Sequence, residues 1–131
     1  MLNKSNKEAD KRDMYLFKEP YNSEHYMGGL RYIDALNAND IEWLMQNKFL
    51  DENECQNYSP STVRFLEFLK KYPHYVAFGY AISPDRWDYR ITIEGIKSVR
   101  VPTDIKEIEE FVNLCKDADE FRIAPPRAWW D

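Results

Sequence analysis

A chain of 131 residues with 44% hydrophobic and 15% aromatic side chains is long enough to bury about two-thirds of the surface its unfolded form exposes, so a core without staples is expected and a disordered chain is excluded. The net charge of −5 is local: seven acids against two lysines between Asp104 and Glu120 carry all of it, and the neutral remainder argues against nucleic acid or anionic lipid as partners. Two cysteines, Cys55 and Cys115, without a CxxC or a secretory apolar run, point to a reducing, cytoplasmic compartment, and no stretch nears the roughly 18 apolar residues of a membrane span.

Residues 1–13 hold two apolar side chains after the initiator, Leu2 and Ala9, and alternate bases with acids. A flexible polar leader, disordered or loosely helical, is expected there, followed by one globular domain over 14–131. Met14 to Phe17 reads as a short early strand ended by Pro20, and Leu30 to Leu36 lacks a clean alternation and fits strand and helix equally. A first helix is expected over about 40–50, capped by Asn39 with Glu42 reaching back, and a second over about 60–72, with the Ser59 hydroxyl as cap and Pro60 in the first turn.

After Pro73 the period changes from near 3.6 to 2. His74 to Ile82 is apolar on both sides and predicts a strand covered on both faces, or nearly so. The turn at Ser83–Trp87 leads into the alternating run Tyr89, Ile91, Ile93, which completes a central hairpin over about 74–94; the strand is expected to bend or end at Gly95, with Ile96 to Val101 as a second segment. A third helix over about 104–116 starts at Thr103, with Ile105, Ile108, Phe111, Val112 and Cys115 on one stripe, and a last strand follows at about 119–123. The tail then meets Pro125-Pro126, neither of which can donate to a ladder, so it is expected to leave the sheet edge. Helices and antiparallel strands without strict alternation make the class α+β, a small antiparallel sheet packed against about three helices.

The chemistry-bearing motifs are mostly absent. His25 and His74 are the only histidines and lack ligand-spaced neighbours, so no metal is expected. Cys115 falls on the apolar stripe and reads as core, while Cys55 beside Glu54 lacks what an activated thiolate needs. There is no G-x-S-x-G, P-loop or dinucleotide fingerprint, so no cofactor and no catalytic residue are assigned. Glu109-Glu110 and Asp119-Glu120 are adjacent and do not face each other as an acid/base pair, and Lys106 is placed to pair with Glu110 at i+4.

Three of the four tryptophans remain, in Arg86-Trp87-Asp88 and Arg127-Ala128-Trp129-Trp130-Asp131. In the plain reading Trp87 folds back onto Arg86 or Arg90, and at least one terminal indole docks, because free indoles invite aggregation. In the functional reading arginine and tryptophan are the side chains most enriched at hot spots, and the two clusters border one recognition surface. The binding candidates are therefore Arg86, Trp87, Arg127, Trp129 and Trp130, with Glu109 and Glu110 as an acidic face for a basic protein partner. The leading expectation is a non-enzymatic protein-binding, inhibitor- or immunity-like module. The alternatives are a homodimer through the last strand or the tail, and a small-ligand domain or small enzyme with a pocket walled by Tyr75, Tyr80, Tyr89 and Trp87 and an arginine.

Overall fold

The computed structural model describes residues 4–130. Helix α1 (Lys4–Phe17) leads through a short 3-10 turn to strand β1 (Leu30–Leu36), then α2 (Ala38–Gln46), α3 (Thr62–Lys71), β2 (Val76–Ile82), β3 (Ile91–Lys97), α4 (Ile105–Leu114), β4 (Glu120–Ile123) and β5 (Pro126–Trp129). The strands form one antiparallel sheet in the order β1-β2-β3-β5-β4. The α+β class holds, with four helices among the described residues in place of three.

The two strands whose alternation was hard to read both carry register shifts. Between Ile33 and Leu36 the β1–β2 register slips, so an odd and an even residue are both buried on the helix side. Between Phe78 and Gly79 the β2–β3 register slips in the same way, leaving Glu94 as the extra residue. That bulge puts Ile91, Ile93 and Ile96 all in the core. β3 thus continues through Gly95 to Lys97 with a bulge at Glu94: of the expected bend or end at Gly95, the strand has a bulge beside it and does not end there.

Helix starts are set by what satisfies their first N–H groups. Asn37, not Asn39, caps α2: its side chain accepts from the Asp40 N–H at 2.9 Å while the Asp40 carboxylate accepts from the Asn37 N–H at 2.9 Å. At α3 the N–H groups of Thr62 and Val63 donate to the carbonyls of Glu54 and Glu52. The loop therefore does the capping, and Ser59 turns instead to Gln56 N–H and the Pro60 carbonyl.

The largest departure is at the N-terminus. Met1 to Asn3 lie outside the described residues, but Lys4 onward is a helix whose Ala9, Arg12 and Asp13 are fully buried, and Met14–Phe17 is its last turn, not a strand. Arg12 donates from Nε to Asp13 (2.9 Å), from Nη1 to the Ile82 carbonyl (3.0 Å) and from Nη2 to the Tyr26 hydroxyl (2.9 Å), while Tyr26 donates to the other Asp13 oxygen. The Arg12 guanidinium also lies 4.8 Å from the Tyr89 ring centre. Two charges can be buried here because each is paired and hydrogen-bonded. A polar segment that docks through such bonds gives no hydrophobic period, so the leader reading missed it.

The tail also differs. It does not leave the sheet; it turns at Ala124-Pro125 and returns as β5 between β4 and β3. Pro126 is tolerated as the first strand residue, where its missing N–H costs nothing, and its carbonyl accepts from the Ser98 N–H at 3.0 Å. The core lies between the sheet and the helices, built from Ile41 and Leu44 of α2, Phe65 and Leu69 of α3, Phe111 of α4, and Ile91, Ile96, Ala128 and Trp130 of the sheet.

Candidate interaction surface

Strand alternation and the observed register fix what the other face of the sheet carries. One row across the strands is Tyr32, Tyr80 and Thr92; the next is Phe78, Gly95, Trp129 and Glu120; the third is Val76, Lys97, Arg127 and Arg122. None of these residues belongs to the core cluster. A strand apolar on both sides led us to expect a covering layer here, and long cations supply it instead. Phe78 lies across Gly95, where a Cβ would come within 2.0 Å of its Cζ. The Arg127 guanidinium sits 4.5 Å and the Lys97 ammonium 5.3 Å from the Phe78 ring centre.

Around that capped ring the face is accessible at Tyr32 and in part at Tyr80 and Trp129, while Thr92 is buried and donates to Glu94 at 3.0 Å. Tyr32 is 45% exposed and meets Tyr80 edge-on at 5.7 Å, and Trp129 is half-buried. Lys97 reaches Asp34 at 2.5 Å, a bond that holds the Asp34 carboxyl below its ordinary range. β4 ends the sheet, with Phe121 45% exposed.

The first tryptophan cluster lies elsewhere. Arg86 grips Asp88 with two bonds, Nε to Oδ1 at 2.9 Å and Nη2 to Oδ2 at 2.8 Å, and its Nη1 donates to the Gly28 carbonyl at 3.1 Å. Burial raises the Asp88 carboxyl, but the Arg86 bonds, a backbone N–H and the nearby arginine charges outweigh it and leave the group below its ordinary value. Gly28 and Gly29 take φ of 61° and 80° in the facing turn. A Cβ at Gly29 would sit 2.4 Å from Arg86 Cδ, so this glycine is what lets the arginine cross. Trp87, held on the loop so fixed, is 95% exposed, as Met27 is 84%. It does not fold back: Arg86 is taken by Asp88, and Arg90 turns to Gln56 at 3.2 Å and Glu54 at 3.6 Å.

The two clusters do not border one surface. Arg127 stands beside Lys97 at one end of β3, and the Trp87 loop enters β3 at Ile91, a separation of about 20 Å along the strand. Trp130 points the opposite way from Trp129, is fully buried, and meets Phe65 edge-on at 5.5 Å. Among the described residues its indole N–H has no acceptor. Glu110 pairs with Lys71 at 2.5 Å, not with Lys106, which lowers its carboxyl, and Glu109 is exposed. The acid that sequence reading missed is Glu107, buried and accepting from the Tyr75 hydroxyl at 3.0 Å, with His74 Nε2 3.1 Å away; its i+3 offset from Asp104 at the helix start gave no signal of a core role.

The walls of the expected aromatic pocket are likewise dispersed. Tyr75 is in the core, Tyr80 on the uncovered face, Tyr89 beneath Arg12 and Trp87 in solvent. A cleft of about 760 Å³ is bordered by charged residues such as Glu8, Lys11, Lys48 and Glu52 and by Met45 and Phe49; of the expected pocket it has one aromatic wall, Tyr89, and an arginine, Arg90. Cys115 is buried, as its stripe predicts, and burial pushes its thiol up to about 12. Among the described residues no helix is long and apolar enough to cross a membrane. Comparison with protein-family models, curated proteins and solved structures finds no match to this chain.

Proposed function

We propose that the protein is a non-enzymatic protein-binding module, of the inhibitor or immunity kind, and that it engages its partner through the uncovered face of the sheet. The observation that carries this reading is an antiparallel sheet with part-exposed Tyr32, Tyr80 and Trp129 around the cation-capped Phe78 on the side away from the helices. Such side chains dominate binding energy where they are pre-organised, because little entropy is then lost on contact. The acidic face of α4 has less to offer a basic partner, since Glu107 is buried and Glu110 already paired. Unpaired Cys55 and Cys115 support a cytoplasmic setting.

Three strands of seven residues and two of four, about 4.8 Å apart, give a face of roughly 450 Å². That is below the roughly 800 Å² per partner of a standard interface, so affinity depends on the aromatic anchors and on the rim. A second copy is the other occupant that an observation favours, at edge strand β4 with its exposed Phe121.

The test is affinity capture from native lysate with wild type, Tyr32→Ala/Trp129→Ala and Trp87→Ala, alongside light scattering. A protein retained by wild type and Trp87→Ala but lost by the double variant is the expected result. Loss in Trp87→Ala alone would move the function to the loop, and concentration-dependent doubling of mass without any partner would favour the homodimer.

A further inference from the structure

Three cations stand abreast on the uncovered face: Lys97 of β3 opposite Arg127 of β5, and Arg127 opposite Arg122 of β4. Like charges directly opposite each other work against strand pairing. Lys97 has its answer in Asp34 at 2.5 Å. Arg127 rests over the Phe78 ring, and neither it nor Arg122 has a carboxylate within ion-pair distance among the described residues. Both arginines border two concavities, one of about 240 Å³ shared with Trp129, Phe121 and Glu120, the other of about 330 Å³ shared with Lys97, His74 and Ser98.

We infer that Arg122 and Arg127 form a clamp for an oxyanion, a carboxylate or phosphoryl group presented by an acidic segment of a protein partner; this rests on the sheet face being the binding surface. Guanidinium forks suit planar, two-oxygen recognition, and an anion between them removes the repulsion that the register imposes. Glu120 lines the smaller concavity and repels an anion there, so the oxyanion sits in the larger one, which no carboxylate lines, and Trp129 on the other side is left for an apolar neighbour in the same segment.

The test uses the full chain, isotopically labelled, titrated with inorganic phosphate and, separately, with a short glutamate-rich peptide, with sodium chloride as the ionic-strength control. Saturable amide shifts at Arg122, Ile123, Arg127, Lys97 and Ser98 are expected with both probes, and the peptide should bind at least about tenfold more tightly because several carboxylates act together. Arg122→Gln should weaken both by about tenfold, the worth of a charge-assisted bond. It lies on an exposed edge strand, so an unchanged amide spectrum outside β4 certifies the fold; Arg127→Gln, which also uncovers Phe78, is the second variant. Absence of saturable shifts, or a titration midpoint unchanged in Arg122→Gln, would overturn the clamp while leaving partner capture through Tyr32 and Trp129 untouched. Phosphate binding as tightly as the peptide would overturn its assignment to a partner segment.

Discussion

Arg86-Trp87-Asp88 and Arg127–Trp130 are built from nearly the same residues and meet opposite fates: Trp87 is almost wholly in solvent and Trp130 wholly in the core. The difference lies in the backbone that carries them. β5 is hydrogen-bonded on both sides, so alternation sends Ala128 and Trp130 inward and Arg127 and Trp129 outward with no side-chain choice involved. The loop has no such period. There the arginine decides, because once its guanidinium is committed to Asp88 and the Gly28 carbonyl nothing remains to hold the neighbouring indole. Here the carboxylate two residues on takes the guanidinium that would otherwise have been free to lie on the indole.

Replacing each cluster's residues in turn would break or sharpen this contrast. Trp130→Ala should cost the most, about 3–5 kcal/mol as for other buried large aromatics, measured by urea unfolding; a loss under about 1 kcal/mol would mean that β5 does not hold the ring in the core. Next comes Gly95→Ala, whose methyl would strike Phe78 and lie 2.6 Å from the Ala128 carbonyl. An overpacking loss of about 1–3 kcal/mol is expected, and pairing it with Phe78→Ala should recover only part, since the clash with the carbonyl persists.

A smaller effect is expected at the loop, and it depends on pH. Asp88 titrates below its ordinary value in the folded state, so its ionised form stabilises the protein above the unfolded carboxylate pKa of about 3.9, and this contribution is lost as pH falls through the lower native value. In Arg86→Ala that acid-side loss should shrink, seen as a smaller difference in unfolding midpoint between neutral and acidic buffer; an unchanged difference would show that the fork does not hold Asp88. The smallest effect belongs to Trp87→Ala, within about 0.5 kcal/mol, together with loss of the most iodide-quenchable part of the tryptophan fluorescence, Trp43 and Trp129 being only partly exposed.

The readable parts of this sequence were those in which burial is apolar and periodic. Leu66 and Leu69, three apart and both buried, belong to the helical period that marked α3, Phe111 and Cys115 marked α4, and the period-two run after Pro73 marked the β2–β3 hairpin; the docking of a terminal indole followed from the cost of exposing it. Bulges hid the rest: a one-residue slip puts Ile93 and Ile96 on one side and spoils any count of alternation. β5 was hidden by Pro126, whose penalty vanishes at the first strand position. Nothing in a list of residues announces that Lys97, Arg127 and Arg122 come abreast, because that row exists only once β5 has entered between β3 and β4.

The buried arginine at the foot of α1 carries a different kind of consequence. Arg12 uses three nitrogens on three acceptors and its flat face on Tyr89, a load that the single nitrogen of lysine cannot carry. Removing one member of a buried charged set strands the other at a cost of about 3–5 kcal/mol, a large share of a small domain's stability. Arg12, Asp13 and Tyr26 are thus one energetic unit: replacing any one alone costs more than exchanging all three together for an apolar set of the same volume.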